Sequence, residues 1–219
     1  MKSFTTHRGV AVPLLRNNID TDSIIPSRDI RQVSKNGLGT SLFSNWRYLY
    51  DGDRRTGPDP AFVLNDPAYT SATILLAGEN FGCGSSREQA VWALMDFGIR
   101  VIIAPGFGEI FYNNCFENGL LPVRMAPHLV NDLAKQVAED PPARMLEIRL
   151  TDCTVIAPDG KHYSFEIEAM RRQMLLEGLD AIAMTQRYAQ AIEAFETQDR
   201  RKRPWAYLGS PNACARRDR

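Results

Sequence analysis

The chain is predicted to be an α/β protein, one compact domain ending in a C-terminal helix and a basic tail. Three observations carry that expectation. Short apolar runs with the character of buried strands recur through the middle of the sequence, helical patterns separate them, and 219 residues with 44% hydrophobic content can bury one substantial core. Val10 to Leu15 reads as the first strand and Ile74 to Ala77 as the second. Between them the polar segment Ser34 to Pro60, punctuated by Gly37, Gly39, Gly52 and Gly57, reads as an extended loop region of the kind that carries function or motion. Gln89 to Phe97 sets Ala90, Val91, Ala93, Leu94 and Phe97 at helical spacing and stops at Gly98. Val101 to Ala104 is the next strand, Gly108 to Asn118 a helix closed by Gly119, and Leu120 to Val123 a further strand. The series is β-α-β-α-β, which implies an α/β core. Beyond it, Val130 to Ala138 suggests a helix and Pro141-Pro142 a break. Glu147 to Ile156 and Tyr163 to Ile167 form a hairpin-like pair around Asp159-Gly160, and residues 180 to 197 a last amphipathic helix. The expected division is a domain over residues 1–198 and a flexible tail over 199–219.

Formal net charge is zero, but it is unevenly placed. The tail holds seven basic residues (Arg200, Arg201, Lys202, Arg203, Arg216, Arg217, Arg219) against two acidic ones (Asp199, Asp218), so residues 1–198 carry the balancing negative excess. A solvated end explains such a tail better than a nucleic-acid site does, and no nucleic-acid partner is expected. No stretch approaches the roughly 20 apolar residues of a membrane span, and the N-terminus has no signal-peptide core, so a soluble, cytoplasmic protein without membrane contact is expected. The four cysteines (Cys83, Cys115, Cys153, Cys214) are scattered, which indicates neither a disulfide framework nor a metal site.

Chemistry is concentrated in Gly78 to Glu88, GENFGCGSSRE, a glycine-rich turn that runs from a strand into a helix. Gly78, Gly82 and Gly84 let a ligand approach the main chain closely. Free N–H groups, the positive end of the helix dipole and the Arg87 guanidinium would converge there on a carboxylate or phosphate. Ser85 and Glu88 have the spacing of a capping box. The letters fit no P-loop, no dinucleotide fingerprint and no nucleophile elbow. A second constellation, Asn18-Ile19-Asp20-Thr21-Asp22, has the opening rhythm of a calcium loop but lacks its sixth-position glycine, where Ser23 stands, so an Asx-type turn is the better reading.

Gly82-Cys83-Gly84-Ser85-Ser86-Arg87-Glu88, with Asn18 to Pro26 upstream and Val101 to Pro105 and Ile110-Phe111-Tyr112 downstream, closely resembles the small-subunit family of 3-isopropylmalate dehydratases. That family belongs to the aconitase superfamily, and the resemblance runs from about Phe4 to Glu196. It implies the β/β/α fold of aconitase's swivel domain and a hydro-lyase that isomerises 2- and 3-isopropylmalate by dehydration and rehydration in leucine biosynthesis. It also implies a large iron–sulfur subunit as partner. The [4Fe-4S] cluster is expected there, since this chain lacks grouped thiolates and is expected to bind no cofactor or metal itself. By resemblance Ser85 is the catalytic base, and Asp22 borders it and tunes it. Arg87 holds a substrate carboxylate, and Ser86, Gly84, Thr21 and Lys35 belong to the substrate site. Two departures stand out: Gln89 replaces a common histidine, and Lys35-Asn36-Gly37 stands where Arg-Thr-Gly is usual. Because that loop helps recognise substrate, the alternatives are a related hydro-lyase acting on a citramalate- or dimethylmalate-type diacid, or a non-catalytic organic-acid-binding module.

Overall fold

The computed structural model describes residues 1–30 and 34–207. Met1–Leu179 forms one compact unit, and a second begins at Asp180. In the first unit the strands are β1 (Thr6–Leu14), β2 (Tyr48–Asp51), β3 (Arg54–Pro58), β4 (Ala72–Ala77), β5 (Val101–Ala104), β6 (Leu121–Arg124), β7 (Leu146–Arg149), β8 (Thr154–Ile156) and β9 (His162–Ser164). Its helices are α1 (Thr21–Ile24), α2 (Ser44–Arg47), α3 (Glu88–Phe97), α4 (Glu109–Asn118), α5 (Pro127–Glu139) and α6 (Ala169–Glu177).

Seven strands make one mixed sheet in the order β6-β5-β4-β1-β7-β8-β9. β6, β5, β4 and β1 run parallel, while β1 turns its first half, Thr6 to Gly9, to an antiparallel pairing with β7. The change of partner coincides with a register shift between Val10 and Ala11. β5 is buried along its whole length and β4 from Ile74 onward, the pattern of strands covered on both faces. Helix α5 packs on β1, β4 and β5, and α3 packs on α4. Hence the core is apolar and continuous, and the carboxyl ends of β1 and β4 lie side by side at one edge of the sheet. In open α/β sheets that edge is where ligands bind.

Most expected elements are present. Val101–Ala104 is a strand with the expected bounds, and Gly98 and Gly119 close α3 and α4. Four departures have identifiable causes. The segment Ser34 to Pro60 holds a two-stranded hairpin, β2 with β3, whose sequence gives no apolar–polar alternation. Glu147 to Ile156 is two strands rather than one, because Cys153 takes a left-handed conformation (φ 53°) and turns the chain between β7 and β8. Helix α6 arises from Ala169–Glu177, a stretch too polar to signal a buried face. The last helix is two, α7 (Ala181–Gln186) and α8 (Ala189–Lys202), in the second unit.

Helix α8 includes Arg200, Arg201 and Lys202, and Arg203 grips both oxygens of Asp199 at 2.7 Å. Cys214, Arg216, Arg217, Asp218 and Arg219 lie outside the described residues. Among the described residues no helix is long and apolar enough to cross a membrane.

Candidate active site

Two turns meet at the carboxyl edge of the parallel strands, one leaving β1 and one leaving β4. Main-chain bonds lace them together. Asn18 N–H donates to Glu79 O at 2.8 Å, Gly82 N–H to Ile19 O at 2.7 Å, and Thr21 N–H to Cys83 O at 3.0 Å. The β4 turn is also tied to the turn before α4, where Phe81 N–H donates to Gly106 O (3.0 Å) and Gly108 N–H to Phe81 O (2.9 Å). Gly82 is required at this crossing. Its φ is +74°, and an added Cβ would lie 2.2 Å from the buried Phe111 ring.

The carboxylates of the β1 turn have separate tasks. Asp20 Oδ1 accepts from Ser23 N–H at 2.6 Å and so caps α1, where a plain Asx turn was expected. Asn18 Oδ1 accepts from Asn80 Nδ2 at 2.9 Å. Asp22 pairs with Arg87 Nη1. The three oxygens that suggested a calcium loop thus have three different protein partners. Among the described residues no three His, Cys, Asp or Glu side chains are grouped to hold a metal ion.

The expected capping box does not form. The chain stays extended through Arg87 (φ −115°, ψ 103°), and α3 begins only at Glu88. The cause is long-range: Thr21 Oγ1 donates to Ser85 O at 2.9 Å and pins the serine to the β1 turn. Glu88 instead accepts from Asn118 Nδ2 at 2.8 Å and Trp92 Nε1 at 3.2 Å. Ser85 and Ser86 are exposed, and Ser85 Oγ bonds to no described residue. No side chain caps α3, so Glu88 and Gln89 N–H, next in the chain to two exposed serines and Arg87, have no acceptor among the described residues.

Arg87 is the more buried member of its ion pair, its side chain 21% exposed against 54% for Asp22. It also donates to Ile25 O at 3.4 Å. A carboxylate this exposed is an exchangeable partner, since solvent screening leaves such a pair weakly bound. Gly84 (φ +85°) turns the chain between the cysteine and the two serines. Burial first, and Asp20 second, push the Cys83 thiol above its ordinary pKa, so it packs in the turn as a protonated thiol.

The structure brings Thr21, Asp22, Gly84, Ser85, Ser86 and Arg87 together at the junction of the two turns. Asp22 faces Arg87 rather than the Ser85 hydroxyl. Lys35 is engaged elsewhere: its Nζ donates to Asn118 Oδ1 at 3.0 Å and stands 5.0 Å from the Trp92 ring centroid. His7 lies 2.7 Å from Thr73 Oγ1 at the far end of β1, and His128 and His162 are exposed outside both turns. Asp20, Glu88, Trp92 and Asn118 also shape the region. Asp20, a capping letter ahead of a short helix, and Glu88, at capping-box spacing from Ser85, had local signals, whereas Trp92 and Asn118 had none.

A curated relative, the 3-isopropylmalate dehydratase small subunit of Cupriavidus necator, is 57% identical over 208 residues, covering 95% of this chain and 99% of the relative. The chain belongs to the 3-isopropylmalate dehydratase small-subunit family. As a member of that family it also matches the aconitase C-terminal domain over residues 1–128, which include both turns and α1 to α4. The crystal structure of 3-isopropylmalate dehydratase from Methanocaldococcus jannaschii superposes with a TM-score of 0.61 at 26% identity, covering 88% of this chain and 99% of that one. The small-subunit fold is therefore the α/β fold described above.

Proposed function

We propose that this chain is the small subunit of a 3-isopropylmalate dehydratase, a cytoplasmic hydro-lyase of leucine biosynthesis that works only with its large subunit. The observation that carries this reading is the turn itself: an uncommitted Ser85 hydroxyl, an uncapped helix start and an exchangeable Arg87–Asp22 pair occupy one junction. The family likeness supplies the reaction. Among the described residues an iron–sulfur cluster finds no fitting set of ligands. Cys115 is fully buried, and no three His, Cys, Asp or Glu side chains assemble there to hold a metal. We place the [4Fe-4S] cluster on the large subunit.

This chain's residues have binding and proton-transfer roles. Arg87 leaves Asp22 for a substrate carboxylate and grips it with two parallel bonds, and the released Asp22 stays beside the guanidinium to hold its plane. Ser86 and the open N–H groups of α3 fix the same carboxylate. Ser85, as an alkoxide stabilised by those N–H groups and the guanidinium, takes the proton from the carbon next to a carboxylate. It then holds that proton as a hydroxyl and returns it on rehydration. Thr21 keeps the serine in place through its carbonyl, and Gly84 permits the bend.

Reconstitution with a large subunit tests this reading through the ultraviolet absorbance of the unsaturated diacid. Turnover of isopropylmalate is expected from the pair and none from this chain alone. An active single chain would overturn it. The contact of Lys35 with Asn118 and Trp92, where an arginine loop is usual, favours a second reading with a smaller diacid. A pair that turns over citramalate and not isopropylmalate would establish that one.

A further inference from the structure

Asp96 is in the last turn of α3, where a negative charge opposes the helix dipole and no basic residue accompanies it. Its partners lie in the loop Ser34–Ser41. One oxygen, Oδ2, accepts from Gly37 N–H at 2.9 Å and from Gly39 N–H at 2.7 Å. The loop backbone abuts the helix end so closely that a Cβ on Gly39 would lie 2.6 Å from Phe97 N. Arg47 Nη1 donates to Gly39 O at 3.0 Å from the other side. Leu38 and Gly39 are buried, while Ser34 to Gly37 remain exposed.

The fastened loop sends Lys35 back toward the opposite end of the same helix. There the ammonium donates to Asn118 Oδ1, and Asn118 Nδ2 donates to Glu88, the residue after Arg87. A lysine is a point charge on a flexible stem and cannot fix its own direction. Its placement beside the first turn of α3 therefore depends on the backbone that carries it. That backbone is held by side chains, chiefly the Asp96 carboxylate, with Arg47 on Gly39 O.

We propose that Asp96 is a positioning residue: it clamps the Ser34–Ser41 loop to α3 and so sets where the Lys35 cation stands relative to the Arg87 turn. Asp96 touches no substrate, yet substrate binding depends on it. The kinetic part of this proposal rests on the dehydratase reading, whereas the clamp itself does not.

The test uses the reconstituted two-subunit enzyme with Asp96→Ala, Asp96→Asn, Lys35→Met and the Lys35→Met/Asp96→Ala double variant. Amide hydrogen exchange at Gly37 and Gly39 is measured beside steady-state kinetics on isopropylmalate. In Asp96→Ala both amides should lose protection. KM should rise on the order of tenfold with kcat within about twofold, the signature of lost binding rather than lost chemistry. Asp96→Asn keeps an acceptor without the charge and should fall between. In the Lys35→Met background, Asp96→Ala should raise KM no further. Retained protection of both amides in Asp96→Ala would overturn the clamp. An unchanged KM despite lost protection, or a fully additive double variant, would overturn the link to Lys35. A wild-type pair inactive on every hydroxy-diacid would sink the dehydratase reading instead, and amide exchange would still decide the clamp.

Discussion

The Gly78–Arg87 turn and the Ser34–Ser41 loop both border α3, yet they are held by different kinds of bond. The turn is fixed by main-chain bonds to the β1 turn and to the segment before α4, to which Asn17, Asn18, Thr21 and Asp22 add side-chain bonds. The loop is fixed by side chains on the helices: Asp96 accepts from its backbone, Arg47 donates to it, and Asn118 holds the Lys35 ammonium. Main-chain lacing survives most substitutions because every non-proline residue offers the same N–H and C=O groups. Side-chain clamping can be changed by one codon. The contrast matches the proposed division between proton transfer at Ser85 and substrate recognition near Lys35.

The lacing is most vulnerable at Gly82, where the turn depends on a particular residue. Gly82→Ala combines a positive φ with a Cβ driven into the buried Phe111 ring, which cannot move without disturbing its packing on Phe81 (centroids 5.4 Å apart). A loss on the order of 3 to 5 kcal/mol is expected, read from the denaturation midpoint in urea. A variant of wild-type stability would show that the turn is more pliable than its bonds imply.

The same difference explains what was legible in the sequence. Buried parallel strands announce themselves as apolar runs, so Val101–Ala104 and the strand at Ile74–Ala77 could be read directly. The glycine-serine-arginine turn was legible because its chemistry is local. The start of α3 was not, because Thr21, 64 residues from Ser85, holds the serine out of the helix. Lys35 was legible as a departure from the usual loop, but its partner Asn118 is 83 residues away and no spacing could supply it. The β2–β3 hairpin escaped notice because β2 alternates half-buried Tyr48 and Tyr50 with an exposed Leu49, so its apolar residues fall on both faces.

A smaller effect sharpens the view of the turn as a carboxylate site. Arg87→Lys replaces a planar fork with a point charge, and KM should rise roughly ten- to a hundredfold while folding stability stays within about 0.5 kcal/mol. Steady-state kinetics and a urea melt on one preparation check it. Unchanged KM would leave Arg87 a structural partner of Asp22 only.

The smallest effect lies far from the site, at the amino end of β1. Burial first, and Arg100 second, hold the His7 imidazole below its ordinary pKa, so the folded state favours its neutral form. Its contribution to stability is therefore complete above the unfolded pKa of about 6.5 and is lost as pH falls from there toward the lower folded value. The urea midpoint should decline from pH 7.5 to pH 5.5 in the wild type and decline less in His7→Gln. Equal declines would assign the pH dependence to other groups.

The claim that Ser85 is the base of a reaction completed by another subunit is tested most directly by kcat of Ser85→Ala in the reconstituted pair, measured with the urea midpoint of the isolated chain. Ser85 Oγ has no partner among the described residues, so its loss should leave stability unchanged. Turnover should nevertheless fall by on the order of a hundredfold or more. A variant that keeps near-normal turnover would contradict the account and leave the turn as a binding site without chemistry.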